Sequence, residues 1–437
     1  SQAGAFSAFT LQLDRPDGNQ ALRGLTVHMP PGVAAMLSSV TQCAEPPPGQ
    51  EWSCGPESLI GHSTASSGLG GEPFTLGGQV YLTVGYGGAP FGTLVVTPAK
   101  AGPFDLGNVD VRAKIYVDPS TAAATVVSDP FPTIIKGVPV QLKHVNVNID
   151  RPGFWFNPTN CNGMKIEGTL GGDEGATAFV SSPFQVANCA NLPFAPKLTA
   201  SAGGHASKVN GVGLVVKVES AGLGQADIAK VDLQLPKALP SRLTTIQKAC
   251  PDGVFNANPA ACNEGSVIGS ATIHTPVLKS PLSGPAYLVS HGGVAFPDVE
   301  FVLQGEGITL ILDGKTDIKN GITYSRFDSA PDAPFTTFET VLPAGPHSAL
   351  GANLPAQAKY NLCATKLAMP TTITGQNGAV IEQTTKIAVT GCAEPPLAKA
   401  LKACRKLKTK SKRVACEAAA RKKYGAKKSS KSRSRKK

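Results

Sequence analysis

The chain has 437 residues, enough for two or three domains with cores of their own, and only 16% of them are charged and 6% aromatic. Gly (47) and Pro (36) punctuate short runs rich in Val and Thr, which excludes a mainly helical protein and points to many short strands. The net charge of +11 is concentrated at one end: from Lys399 onward there are 18 basic residues and one acid, Glu417, whereas the first 398 residues carry 23 basic and 29 acidic ones.

In chain order, Phe9, Leu11 and Leu13 alternate with polar residues, and so do Leu25, Val27 and Met29, as expected of half-buried strands. MPPGVAAMLSSV, from Met29, reads as one of two short helical segments; the other is SRLTTIQKAC, ending at Cys250. In CGPESLIGHSTA, from Cys54, Ser63 stands one residue short of the G-x-S-x-G nucleophile elbow. That motif needs a helix after the turn, but the loop SSGLGGEP follows, and Leu59, Gly61 and Ser63 alternate with Ile60, His62 and Thr64. A strand is the expected setting for Ser63, with a serine hydrolase as the lesser reading. Val109 to Val117 again has a period of two, and VPVQLKHVNVNID changes parity at Lys143-His144, which predicts a β-bulge.

Phe154, Trp155 and Phe156 lie together in the Pro-flanked connection DRPGFWFNPTNC. Adjacent rings there either stack on a glycan or grip a protein partner, which makes them the candidate ligand site, or they plug the end of the domain. Asn377-Gly378 signals a type I′ hairpin, and GGDEG (Gly171 to Gly175) holds the matching place earlier in the chain. The seven histidines show no metal-ligand spacing, no phosphate loop is present, and no cofactor or metal is expected.

The ten cysteines fall in a repeating order. Cys43 and Cys54 are 11 positions apart and Cys250 and Cys262 are 12; Cys161 and Cys189 are 28 apart and Cys363 and Cys392 are 29. This periodicity predicts sequence-near disulfides and an oxidising compartment. Other segments repeat with them. CGPESLIGHSTA matches CNEGSVIGSATI, GQVYLT (Gly78 to Thr83) matches GPAYLV (Gly284 to Val289), and the 22 residues ending at Cys189 match those ending at Cys392. Ser63 aligns with Ala271, so the second copy lacks the would-be nucleophile. The expected architecture is mainly β: two tandem homologous sandwich modules of Ig-like or Greek-key type at 1–192 and 197–392, joined by the Pro-rich linker 193–196.

After them, Leu397, Leu401, Cys404 and Leu407 fall on one helical stripe. SKRVACEAAARKKYG then forms a second helix, with Ser411 as the expected N-cap and Gly425 as the stop. One continuous helix would hold Cys404 and Cys416 about 18 Å apart, so a disulfide between them requires a helical hairpin over 397–425. Residues 426–437 contain no apolar side chain except Ala426 and are expected to be disordered. Lys402, Arg405, Lys406, Lys408, Lys410, Lys412, Arg413, Arg421, Lys422 and Lys423 make this segment a candidate polyanion-binding surface. The expected partners are an anionic cell-envelope polymer or acidic lipid headgroups, with nucleic acid only incidental.

The elements FTLQLDRPDGNQALRGLTVHMPPG, NPTNC, LPSRLTTIQKAC, FNANPAAC and TTITGQNGAVIEQTTKIAVTGC resemble those of large, uncharacterised secreted proteins of high-GC Gram-positive bacteria, the actinobacteria. ALKACRKLKTKSKRVACEAAARKKYG resembles a basic terminal segment of exported proteins from the same bacteria. The resemblance implies export and a repeated β architecture, and supplies no catalytic or binding residues. No run is long and apolar enough for a membrane-spanning helix. An export signal is expected to lie outside these residues, and a non-enzymatic extracellular or envelope-associated protein is the expectation.

Overall fold

A computed structural model describes residues 1–68, 70–393 and 396–424. The segment 426–437 and Gly425, read above as disordered tail and helix stop, lie outside the described residues. The protein is mainly β.

In the first unit, the principal strands are β1 (Phe9–Asp14), β2 (Leu22–His28), β3 (Leu59–Ser67), β4 (Phe74–Val84), β5 (Phe91–Ala101), β6 (Phe104–Val117), β7 (Ala124–Ser128), β8 (Leu142–Ile149), β9 (Met164–Gly172) and β10 (Thr177–Phe184). They form one sheet in the order β1-β8-β3-β4-β5-β6-β7-β2-β9-β10. In the second unit they are β11 (Lys197–Gly203), β12 (Leu214–Glu219), β13 (Ile228–Gln234), β14 (Val267–His274), β15 (Leu282–Ser290), β16 (Asp298–Gly305), β17 (Ile308–Lys319), β18 (Ile322–Phe327), β19 (Thr337–Leu342), β20 (Leu367–Gly375) and β21 (Val380–Thr390). Their order is β15-β14-β19-β12-β11-β21-β20-β13-β18-β17-β16, and β16 pairs with β15 to complete the ring.

In each unit the strands form one continuous hydrogen-bonded series, in a sandwich- or barrel-like arrangement. An alternating strand faces a core equally well in either arrangement, so alternation alone could not distinguish them. Rung for rung the two orders agree, β1 corresponding to β12 and β10 to β21. The exception is β11, which seals the second unit by pairing parallel with β21 and antiparallel with β12. In the first unit only Gln2 occupies the corresponding place, bridging parallel to Ala187.

Local structure follows the side-chain pattern. The β3–β8 register shifts between Leu142 and His144, so the bulge falls where the parity changes. Both expected hairpins form, but not as type I′ turns. Gly378 has φ +82° while Asn377 is not left-handed, and Gly378 N–H donates to Gly375 C=O; Gly175 has φ +89° and donates to Gly172 C=O. This is a type I turn closed by a left-handed glycine. Asn377 uses its side chain elsewhere, its Nδ2 donating to the carbonyls of Cys189 (3.3 Å) and Leu192 (3.1 Å).

The segment from Met29 is mostly not helical: Ala34–Ala35 pairs antiparallel with Trp155–Phe156, and only Leu37–Ser39 makes a 3₁₀ turn. The segment ending at Cys250 gives the single turn α1 (Leu243–Ile246), followed by α2 (Asp252–Ala257). All ten cysteines are paired: Cys43–Cys54, Cys161–Cys189, Cys250–Cys262, Cys363–Cys392 and Cys404–Cys416. The last ties α3 (Pro396–Arg405) to α4 (Lys410–Tyr424). Helix α4 starts one residue before Ser411, and Thr409 C=O accepts its first bond from Arg413 N–H, so Thr409 rather than Ser411 caps it.

The two units are packed together. Phe91, Leu37, Ile115 and Val117 of the first join Ile268, Leu278, Leu282 and Ile308 of the second in one apolar cluster. Ser38 N–H donates to Val277 C=O (2.8 Å) and Ile311 N–H to Pro119 C=O (2.7 Å). Phe194 of the linker packs against the second unit's core.

Candidate functional site

Ser63 lies in the middle of β3, opposite Gly78 on β4 and Val147 on β8. His62 points to the other face, where its Nδ1 lies 3.1 Å from the Asp150 carboxylate. Ser63 thus sits within a strand and not on the strand-to-helix turn that a nucleophile elbow requires. The aromatic cluster is likewise absorbed. Phe154 and Phe156 are 3% and 2% exposed, and Trp155 stacks on Phe9 with ring centroids 4.3 Å apart. Trp155 and Phe156 pair with Ala35 and Ala34 and so point to opposite faces, Trp155 onto Phe9 and Phe156 onto Phe6, and the three rings form no continuous open platform.

Ser63 and Trp155 face the same space. The inward side chains of β1 to β8 line a single cavity of about 660 Å³. Its wall is formed almost wholly by aliphatic and aromatic groups, among them Leu11, Leu13, Val27, Leu76, Val95, Val111, Val126, Val145 and Val147. At one end Leu278, Leu282 and Ile308 of the second unit form a floor. At the other, Phe74 and Val138 of the lining are 52% and 49% exposed, and neighbouring Phe104 and Ile134 are 69% and 64% exposed.

The cavity has a specific cause, visible when the ladders are matched rung by rung. Val95 pairs with Val80 and Val111, and the equivalent Phe301 pairs with Ala286 and Leu312. By the same matching Ser128 stands where the second unit has Phe327, and Val145 where it has Phe338. Phe301 packs against both Phe327 and Phe338, with each pair of centroids 5.7 Å apart. Three rings thus fill the second unit where the first has Val, Ser and Val. Sequence reasoning missed these positions, although the aligned copies carry the signal.

The lining also carries polar residues, among them Ser63, Thr93, Thr97, Ser128, Thr275 and Asp332. Ser63, Gly78 and Thr97 follow one another across β3, β4 and β5, and a Cβ on Gly78 would lie 2.7 Å from Ser63 Oγ and 2.6 Å from Thr97 Oγ1. Ser63 is 7% exposed and its Oγ has no hydrogen-bond partner among the described residues. The matching second-unit residues are Ala271, Gly284 and Leu303.

On the outer face, the Arg112 guanidinium lies 3.5 Å from the Tyr86 ring centroid and 5.0 Å from that of Trp52, and its Nη1 pairs with Glu45 at 2.8 Å. This pins the segment containing Cys43–Cys54 against the sheet. Between the units, Asp332 accepts from Thr159 N–H (2.8 Å), Asn160 N–H (3.1 Å), Asn160 Nδ2 (2.8 Å) and the Thr159 hydroxyl. Asp227 beside it is 2% exposed, and neither of its carboxyl oxygens has a partner among the described residues. Burial, reinforced by the neighbouring Asp332, pushes the Asp227 carboxyl well above the usual range.

The candidate polyanion-binding residues, from Lys402 through Arg405, Lys406, Lys408, Lys410, Lys412 and Arg413 to Arg421, Lys422 and Lys423, are all exposed on the α3–α4 pair. Cys404 (1% exposed) and Ala420 (6%) are its buried contacts. No helix among the described residues is long and apolar enough to cross a membrane.

No family model and no curated protein matches the chain. Two solved structures show similarity at 10% identity. One is the B domain of a biofilm-associated protein, covering 86% of this chain and 80% of that one at a TM-score of 0.17. The other is a Corynebacterium diphtheriae protein described as putatively membrane-anchored, covering 89% of each chain at 0.16. Likenesses at these scores define neither fold nor function.

Proposed function

We propose that this is an exported, non-enzymatic protein of the cell envelope, built from two tandem copies of a disulfide-stapled β module and held in place by a cationic helical hairpin. The observation that carries the reading is the separation of charge: ten exposed cations lie on α3, α4 and the turn between them, after a body in which acids outnumber bases. Such a surface binds anionic polymers or acidic headgroups by displacing their condensed counterions, with an affinity that falls steeply as salt rises. The five disulfides support an oxidising, extracellular setting.

Deleting 399–437 tests this. The full chain is expected to sediment with isolated cell envelopes at low salt and to be released as salt increases, while the shortened chain stays in solution. Equal retention of both would refute the cationic attachment.

A further inference from the structure

We propose that the cavity of the first unit binds a long, unbranched acyl chain whose carboxyl or ester oxygen accepts a hydrogen bond from Ser63. This goes beyond the cationic attachment and does not depend on it. The volume, about 660 Å³, lies in the range of small-molecule sites, and the wall is overwhelmingly apolar, as expected for burying a hydrocarbon. Its shape suits a chain rather than a compact molecule: from Thr97 to Phe91 is about 20 Å of extended strand, running from the polar notch to the floor made by the second unit.

The notch gives the ligand its polarity. Ser63 Oγ is more than nine-tenths buried, lines the cavity and has no partner among the described residues. Gly78 leaves space beside it, with Thr97 on the far side. An unpaired hydroxyl in an apolar enclosure is costly, and an acyl oxygen would satisfy it. A peptide strand fits poorly, because its N–H and C=O groups at every residue would meet a wall with few hydroxyls. The exposed apolar rim at Phe74, Phe104, Ile134 and Val138 offers an entry surface for such a ligand.

The second unit suggests how to close the site. Val95→Phe with Val145→Phe places on these rungs the rings found at Phe301 and Phe338. The full chain, stripped of bound lipid, is titrated with cis-parinaric acid, whose fluorescence rises on burial. Parallel samples are mixed with phosphatidylglycerol vesicles, and protein-bound lipid is then measured by mass spectrometry. The wild type is expected to take up one acyl ligand per chain saturably. Uptake of the free acid alone identifies a fatty acid, and transfer from vesicles identifies a membrane lipid; each supports the site. The double variant should bind at least tenfold more weakly, and Ser63→Ala several-fold more weakly, with thermal midpoints unchanged or raised. If the double variant does not fold, Thr97→Leu, matching Leu303, serves as the filling substitution. Absence of saturable uptake by the wild type, or undiminished uptake by a folded filled variant, would overturn the proposal.

Discussion

The two units share a strand order yet differ in what they enclose. The second is closed by β11 and filled by Phe301, Phe327 and Phe338; the first lacks a full equivalent of β11 and is hollow where Val95, Ser128 and Val145 replace those rings. Continuous hydrogen bonding fixes the wall in both cases, so the interior can be emptied without changing the order of the strands. The comparison shows that a β wall and its filling are separable: backbone pairing determines the first, and a few side-chain volumes determine the second.

The largest effect that sharpens this contrast comes from matched truncations. Phe301→Ala should cost about 3–5 kcal/mol, because it removes a ring packed on two others. Val95→Ala at the equivalent rung should cost no more than about 1.5 kcal/mol, since the side chain already borders open space. Denaturant unfolding of the two variants measures both, and equal losses would break the contrast.

A smaller effect is expected at the contact between the units. Because the folded-state pKa of Asp227 is raised, the folded chain holds this proton more tightly than the unfolded chain does. Stability from this group is therefore greatest below the ordinary carboxylate range and declines as pH rises through the raised value. Asp227→Asn should remove that decline and raise the thermal midpoint at neutral pH. A variant with a lower midpoint and unchanged pH dependence would show that the Asp227 carboxyl is not raised by burial beside Asp332.

Much of the wall was legible in the sequence. The parity change at Lys143-His144 marked the bulge, the repeated spacings marked the disulfides, and alternation around Ser63 marked a strand, because each depends on near neighbours along the chain. The turn at Asn377 was misread because its side chain is engaged by Cys189 and Leu192, far away in sequence. Phe154 to Phe156 looked like a platform because ring orientation depends on pairing with Ala34–Ala35. The cavity was the least accessible feature. Val95, Ser128 and Val145 are ordinary strand residues one by one, and only their convergence from three strands leaves the space.

Both tryptophans belong to the first unit; Trp155 lines the cavity, whereas Trp52 stands on the outer face beside Arg112, so the part of the fluorescence that Trp155→Phe removes reports on that interior. The most direct measurement is quenching of this fluorescence in the full chain by a fatty acid brominated along its tail. A hollow, acyl-binding first unit predicts saturable quenching that is lost in Trp155→Phe and in Val95→Phe/Val145→Phe. Quenching that rises linearly without saturation, or that persists in the folded double variant, would contradict it.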